Sequence, residues 1–457
     1  MSKTRRLGNM KTRPFGQIRP TLSFVSTYPP TKCGLATYTT HLVEALERHD
    51  PRSEIRVAAM TPGPSPDYGP RVRYDLSKED PQAYVDLARH LNADGTDVVS
   101  LQHEYGIFGG AFGEYALKLL ANLRRPVVTT LHTVLSEPHP EQKRVLIEVA
   151  RLSRQVVVMS SKGVDLLQEI YQVPAQKITM IPHGAPAGIP AEIAKAKLGL
   201  QGHTVISTFG LLSRGKGLEY ALEAFIKIAK QHPDTVYLIL GTTHPNVIAS
   251  EGESYREALA ERVRDEHLEE RVRFVNRYLT EKELVEWLSA TDIYLTPYIN
   301  GQQITSGTLA YAVAQGKAVI STPYLYAQEL LAGGRGLLSE FRSSESLAQN
   351  LSLILDRPEL REQLEERSRN FGRTLLWPTV AAQYANLFRR VAAEVSRPQH
   401  TSVPTDNFRS SLGPPERLAV LEGTTYHRAT ANPLFPERSI GCLPRRVGSS
   451  LNPASPT

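Results

Sequence analysis

Two short stretches hold the groups best suited to chemistry, and both suit an anion. The first, Gly210 to Gly217, reads GLLSRGKG and follows the apolar run TVISTF. It comes close to the G-x-x-x-x-G-K-[ST] loop that cradles nucleotide phosphates between a strand and a helix. Its last position departs from that loop: Gly217 stands where a Ser or Thr hydroxyl would hold magnesium, and none of the later strands ends in an Asp suited to the same ion. An NTPase is therefore disfavoured. What remains is a flexible loop that carries Lys216, with Arg214 nearby, to a helix start from which a diphosphate can be reached. Taken alone, the loop reads equally well as two solvated cations.

The second stretch, Asn300 to Tyr324, reads NGQQITSGTLAYAVAQGKAVISTPY. Gln302, Gln303, Thr305, Ser306 and Thr308 offer neutral hydrogen-bonding side chains, and Gly307 lets a ligand approach the backbone. A helix beginning near Thr308 would direct unpaired N–H groups and a partial positive charge outward. Alone, this is an ordinary helix capped by Thr305 or Ser306. Two helix-starting loops at one edge of a single sheet favour a shared anion.

Other candidates divide between function and packing. His103 and Glu104, in SLQHEYGIFGG, fall just past a strand end, where an acceptor could sit or where a buried histidine could pair with a carboxylate. His183 in IPHGAP and His244 in GTTHP read as hydrogen-bonded loop residues. Cys33 reads as a small packed side chain, because no Cys-His motif of a thiol enzyme accompanies it. The helix EQKRVLIEVARLSRQ has apolar Val145, Leu146, Val149 and Leu152 with basic residues elsewhere, and a domain-surface role suits it better than an anionic membrane.

The elements that must position these groups alternate strand and helix. Continuous apolar runs at Thr21 to Ser26, Ile55 to Met60, Val98 to Gln102, Val127 to Leu131 and Val156 to Ser160 have the character of strands covered on both faces. A second series runs TVISTFG, TVYLILG, RVRFVN, DIYLTP and AVIST. Two doubly wound parallel sheets are expected, facing each other across a cleft, with the join in the Pro- and Gly-rich stretch near Ile181 to Ile193. The expected organisation is a basic tail over 1–18, a first sheet domain over 19–185, and a second over 186–374, which the resemblance described below makes the acceptor-side and donor domains. A helix over 375–396 is expected to pack back on the first domain, and 397–457, rich in Pro, Ser and Arg without period, is expected to be largely disordered or a remnant of something lost.

Composition sets outer limits. A chain of 457 residues, 41% hydrophobic and 22% charged, can bury two cores. No run of about 18 apolar residues occurs and the basic N-terminus has no apolar core behind it, so a cytoplasmic protein is expected. Two cysteines, Cys33 and Cys442, give no disulfide framework and no zinc site. The net charge of +6 is spread along the chain without basic runs interleaved with aromatics, which disfavours nucleic acid and leaves phosphate-bearing small molecules or an anionic membrane surface as partners.

The order STFGLLSRGKGLEYALEAF, VYLILG, VRFVNRYLTEKELVEWLSATDIYLTPY and TSGTLAYAVAQGKAVIST resembles the donor-binding half of GT-B glycosyltransferases, most closely the retaining family 4 group. FVSTYPPTKCGLATYTTHLVEAL and VVTTLHT are similar to that family's first half, so the resemblance spans about residues 20 to 395. It implies that Gly34 faces the donor phosphates, that His132 lies beside the transferred sugar and that Lys216 meets the diphosphate. It also implies that the backbone of Ser306, Gly307 and Thr308 binds donor phosphate, and that Arg277 and Tyr278 lie at the nucleobase. Leu211 stands where the family has an arginine, so Arg214 would supply that charge from a shifted position, or nothing does. The family's two glutamates fall on Gln303 and Tyr311, which puts the donor nucleotide in question.

The resemblance implies transfer of a sugar from a nucleoside-diphosphate donor to a carbohydrate or lipid-linked acceptor, with retention and without a resident cofactor. No Asp-x-Asp pair occurs, which argues against a metal-clamped diphosphate. A GT-B-type phosphorylase or epimerase, and a non-catalytic nucleotide-sugar binding protein, stay open as alternatives. A dehydrogenase is disfavoured because GIFGGAFG lacks the G-x-G-x-x-G spacing.

Overall fold

The computed structural model describes residues 19–396 apart from 62 and 64. The expected basic tail over 1–18 and disordered tail over 397–457 lie outside the described residues. The apolar runs pair into two all-parallel sheets. The first contains β1 (Leu22–Ser26), β2 (Ile55–Thr61), β3 (Val72–Ser77), β4 (Val98–His103), β5 (Val127–Leu131), β6 (Gln155–Val158) and β7 (Ile178–Met180), in the order β3-β2-β1-β4-β5-β6-β7. The second contains β8 (Thr204–Phe209), β9 (Thr235–Leu240), β10 (Val272–Val275), β11 (Ile293–Thr296), β12 (Ala318–Ser321) and β13 (Leu337–Leu338), in the order β10-β9-β8-β11-β12-β13.

Burial explains which strands the sequence announces. Every residue of β1, β4 and β5 is buried, because helices cover both faces, so these strands read as unbroken apolar runs. Their hydroxyls are tolerated because they pair: Ser23 with Thr96 at 2.7 Å, Ser26 with Thr39 at 2.7 Å and Thr129 with Ser153 at 2.7 Å. The unannounced strands β3, β7 and β13 are edge strands with part-exposed residues.

In each sheet the strand order reverses at one place, between β1 and β4 in the first and between β8 and β11 in the second. Chain leaving two neighbouring strands in opposite directions opens a crevice at their carboxyl ends, the usual ligand position in such sheets. The loop after β1 leads into the Gly34–His49 helix, and the loop after β8 carries Lys216.

The chain crosses between the lobes twice, and the crossings lie side by side. The Ala185 amide donates to the Leu375 carbonyl at 2.8 Å, and the Trp377 amide to the Ala185 carbonyl at 3.0 Å. From there the Trp377–Ser396 helix returns to the first lobe, where Val380, Tyr384 and Phe388 share one core with Leu22, Phe24, Tyr38 and Leu42. The Phe24 and Phe388 rings meet edge to face at 6.1 Å. Among the described residues, no helix is long and apolar enough to cross a membrane. On the basic Pro140–Leu152 helix, Arg144 pairs with Glu141 and Glu114, and Arg151 with Glu148, so these cations are neutralised locally.

Candidate active site

The Lys216 loop is pinned by a glycine that no other residue replaces without movement. Gly217 has φ 62°, and a Cβ there would lie 2.2 Å from the Pro297 carbonyl oxygen in the loop after β11. The Ile299 amide donates to the Gly215 carbonyl at 3.1 Å, which ties the same loops again. This contact carries Lys216 over Tyr298: its Nζ sits 3.8 Å from the ring centroid. Among the described residues no carboxylate lies within ion-pair distance of Lys216.

Tyr298 links the lysine to the helix start. Its hydroxyl is 2.7 Å from Thr308 Oγ1, which is 3.1 Å from Ser306 Oγ. Burial works to raise the Tyr298 phenol, but the Lys216 ammonium and the surrounding hydroxyls outweigh it and bring it below its ordinary value. Ser306 caps the Gly307–Ala314 helix, its hydroxyl accepting from the Leu309 amide at 3.3 Å. Helix geometry leaves the Gly307 and Thr308 amides with no carbonyl inside the helix to donate to. Lysine, phenol, two hydroxyls and a helix N-terminus therefore converge, a set that favours negative charge.

The opposite wall comes from the first lobe and the crossing. His132 Nε2 lies 3.0 Å from Oε1 of the Gln102 side chain, whose Nε2 donates to Ser100. Because that oxygen can only accept, Nε2 carries the proton and Nδ1 is left with a lone pair. Burial, then the neighbouring His183 and His103, push the His132 imidazole well below its ordinary value, so the ring is neutral at pH 7. His183 donates from Nδ1 to the Gly184 carbonyl at 2.7 Å, and burial pushes it down to about 4. Its Nε2 faces Gly307 so closely that a Cβ there would be 3.0 Å away. Tyr38 stands between the two imidazoles, edge to face with His132 at 4.8 Å and with His183 at 5.0 Å. His132 and the Gly307 helix start thus belong to one continuous site, joined through Tyr38 and His183.

The other residues singled out in the sequence fall around this centre. Gly34 opens the Gly34–His49 helix with nothing within 4 Å of the place a Cβ would take. The Tyr311 hydroxyl is buried 3.1 Å from His41 Nδ1, and His41 Nε2 lies 3.2 Å from Glu281, so the Tyr311 position is bonded across to the first lobe. Gln303 turns inward on its own loop, donating to the Thr305 carbonyl at 2.8 Å, and neighbouring Gln302 meets Ser136 of the first lobe. Tyr278 lies 3.1 Å from Thr37 Oγ1 across the lobes, while Arg277 pairs with Glu283 at 2.5 Å. The Arg214 guanidinium is committed elsewhere, 2.9 Å from Glu251 and stacked over the Tyr255 ring at 5.2 Å, with a side chain 63% exposed.

Glu104 accepts from Thr133 Oγ1 at 2.6 Å and from the Tyr105 amide, with its carboxyl raised by burial. His103 is buried, stacked on Phe108 at 5.9 Å, and burial lowers it to about 4. It is therefore not paired with Glu104. Glu329 also bridges the lobes, accepting from the Ser161 amide at 2.8 Å and the Lys162 amide at 3.3 Å at the start of the Ser161–Glu169 helix. Among the described residues no group of three or more His, Cys, Asp or Glu side chains is placed to hold a metal ion.

Sequence reasoning missed Tyr298 and His41 and read His183 as a plain loop residue. The available signal for Tyr298 was its place just past the carboxyl end of β11, at the same sheet edge as the two loops. His183 and His41 act through contacts distant in sequence and gave no local signal.

Two lobes of this topology, each with its crevice turned to the other, define the GT-B glycosyltransferase architecture. Comparison with known proteins agrees. Residues 191–371 match the family model for glycosyl transferases group 1, and residues 33–187 match that for glycosyltransferase family 4. The chain belongs to this group 1 and family 4 class of glycosyltransferases.

Among curated proteins, it is 26% identical over 304 residues to the D-inositol 3-phosphate glycosyltransferase of Corynebacterium glutamicum, covering 60% of this chain and 69% of that one. Among solved structures, it shares the fold of Anabaena HepE in complex with UDP and glucose, with a TM-score of 0.62 at 15% identity, covering 81% of this chain and 100% of that one. A glycosyltransferase from Rickettsia africae shares it as well, with a TM-score of 0.63 at 16% identity over 82% of this chain and 99% of that one.

Proposed function

We propose that this glycosyltransferase moves a sugar from a nucleoside-diphosphate donor to a carbohydrate or lipid-linked acceptor, with retention at the anomeric carbon and without a metal ion. The observation that carries the reading is the convergence of an ion-unpaired Lys216 with the free amides of Gly307 and Thr308, joined through Tyr298. Diphosphate departure builds negative charge on the oxygen that bridged it to the anomeric carbon. Preorganised donors stabilise that charge more in the transition state than in the ground state. Lys216 supplies the positive charge that a metal would otherwise supply. UDP, which HepE binds, is the first donor nucleotide to try.

His132 contributes a neutral imidazole whose Nδ1 lone pair accepts from a sugar hydroxyl. No side chain is assigned as base. In the retaining course that the family resemblance implies, the bond from carbon to phosphate oxygen breaks and the bond to the acceptor oxygen forms on the same face. The acceptor proton then passes to the departing phosphate.

A second reading, binding of a nucleotide sugar without transfer, draws on Tyr311: the family's glutamate position carries a phenol already held by His41. Incubation with UDP-, GDP- and ADP-linked hexoses and a panel of sugar, inositol phosphate and polyprenyl phosphate acceptors separates the readings. Transfer requires nucleoside diphosphate release that depends on an acceptor and is lost in Lys216→Ala. Binding with no release under any acceptor supports the second reading, and turnover that needs free phosphate or no acceptor points to a phosphorylase or epimerase.

A further inference from the structure

Among the described residues, several buried polar atoms remain without a partner where the lobes meet: both ring nitrogens of His103, the Tyr326 hydroxyl and Thr305 Oγ1. His103 is 0% and Tyr326 1% exposed. Buried polar groups are almost always hydrogen-bonded, and leaving one unpaired is costly. Several such groups in one region indicate a partner of matching polarity.

These atoms are gathered around the site centre. His103 stacks on Phe108, and Phe108 and Tyr105 pack in one cluster with Ile304 and Leu325 from the other lobe. Ile304 precedes Thr305 and Leu325 precedes Tyr326 in the chain, and the Tyr326 amide donates to the Gln303 carbonyl at 3.0 Å, which holds the two segments together. From the other side, the His132 amide donates to the His103 carbonyl at 3.0 Å, and His132 lies against Tyr38. The Tyr326 phenol is near enough to Tyr38 to add to the upward push on it.

We infer that His103 and Tyr326, one from each lobe, recognise hydroxyl groups of the transferred sugar, with Thr305 beside them. A neutral imidazole offers one donor and one acceptor, a phenol offers both on one atom, and a sugar hydroxyl matches either. Neither residue carries charge, so the pair reads hydroxyls without competing for the diphosphate held at Lys216. The two lobes that carry them are joined at the paired crossings of Ala185 and Leu376. This inference rests on the donor reading above and adds two further sugar-reading groups to His132.

The test is a thermal-shift titration of the full chain and of Tyr326→Phe with UDP, GDP and ADP and with their glucose, mannose and N-acetylglucosamine esters. The wild type is expected to gain more from one nucleotide sugar than from its diphosphate by linkage. Tyr326→Phe is expected to keep the diphosphate gain within about twofold in affinity and to lose about tenfold for the sugar ester. Removing an unpaired hydroxyl leaves the melting temperature of the free protein unchanged or higher, whereas a phenol with a structural hydrogen bond would lower it. If the diphosphate stabilises but its sugar ester adds nothing, or if Tyr326→Phe keeps the whole sugar gain, the pair holds only buried water and the inference is overturned. If no diphosphate stabilises either protein, the donor reading fails first and takes this assignment with it.

Discussion

The carboxyl edge of the second sheet offers a lysine, a helix start and a row of hydroxyls, while the facing edge of the first offers His103 and His132, held neutral by burial. Both edges are switch points of the same topology, yet one is built for negative charge and the other for uncharged hydrogen bonding. A donor with an anionic diphosphate and a neutral sugar has the same division. In the proposed reading the lobes carry two halves of one recognition task, and the contacts of Tyr311 with His41 and of Glu329 with the Ser161 helix start hold the halves together.

The comparison breaks most visibly at the charged edge. Lys216→Ala removes one charge-stabilising donor, and an analogous oxyanion donor is worth about 2.7 to 4 kcal/mol of barrier, so turnover should fall by about two to three orders of magnitude. Steady-state diphosphate release measures this, and a variant within about threefold of wild type contradicts the assignment. Gly217→Ala attacks the scaffold beneath the lysine. With φ at 62° and a Cβ 2.2 Å from the Pro297 oxygen, the loops must separate, and a loss of at least about 2 kcal/mol is expected in urea unfolding.

The neutral edge is sharpened by pH. His103 and His183 lie near 4 in the folded chain, below the ordinary imidazole value of about 6.5. As pH falls the unfolded chain takes up these protons first, so stability is fully present above about pH 6.5 and declines toward pH 4. The slope is about 1.4 kcal/mol per pH unit for each histidine. Urea midpoints at pH 7, 6 and 5 check the sign, and stability that rose on acidification would mean the imidazoles are charged in the fold. The smallest effect is expected at Arg214→Ala, whose solvent-exposed pair with Glu251 contributes little and whose loss should leave turnover within about threefold.

How much of this was legible in the sequence depends on the range of the contacts involved. The loops at Gly210 and Asn300 announce themselves because glycine, hydroxyl and lysine chemistry is local, and covered strands such as β1 and β5 do so through unbroken apolar runs. Edge strands β3 and β7 do not, since half-exposed residues dilute the pattern. Arg214, two residues from Lys216, reads in sequence as a shifted source of the charge missing at Leu211, and only the fold shows that Glu251 and Tyr255 draw it outward. His183 gave no sign, because its closeness to Gly307 is a contact between residues more than a hundred positions apart.

The most direct measurement of the central claim is calorimetric titration of wild type and Lys216→Ala with UDP, GDP and ADP. The wild type should bind at least one of them below millimolar concentration, with the affinity lowered tenfold or more in the variant. Equal affinity in both proteins, or no binding of any diphosphate at millimolar levels, would contradict the assignment of a diphosphate to this edge of the second sheet.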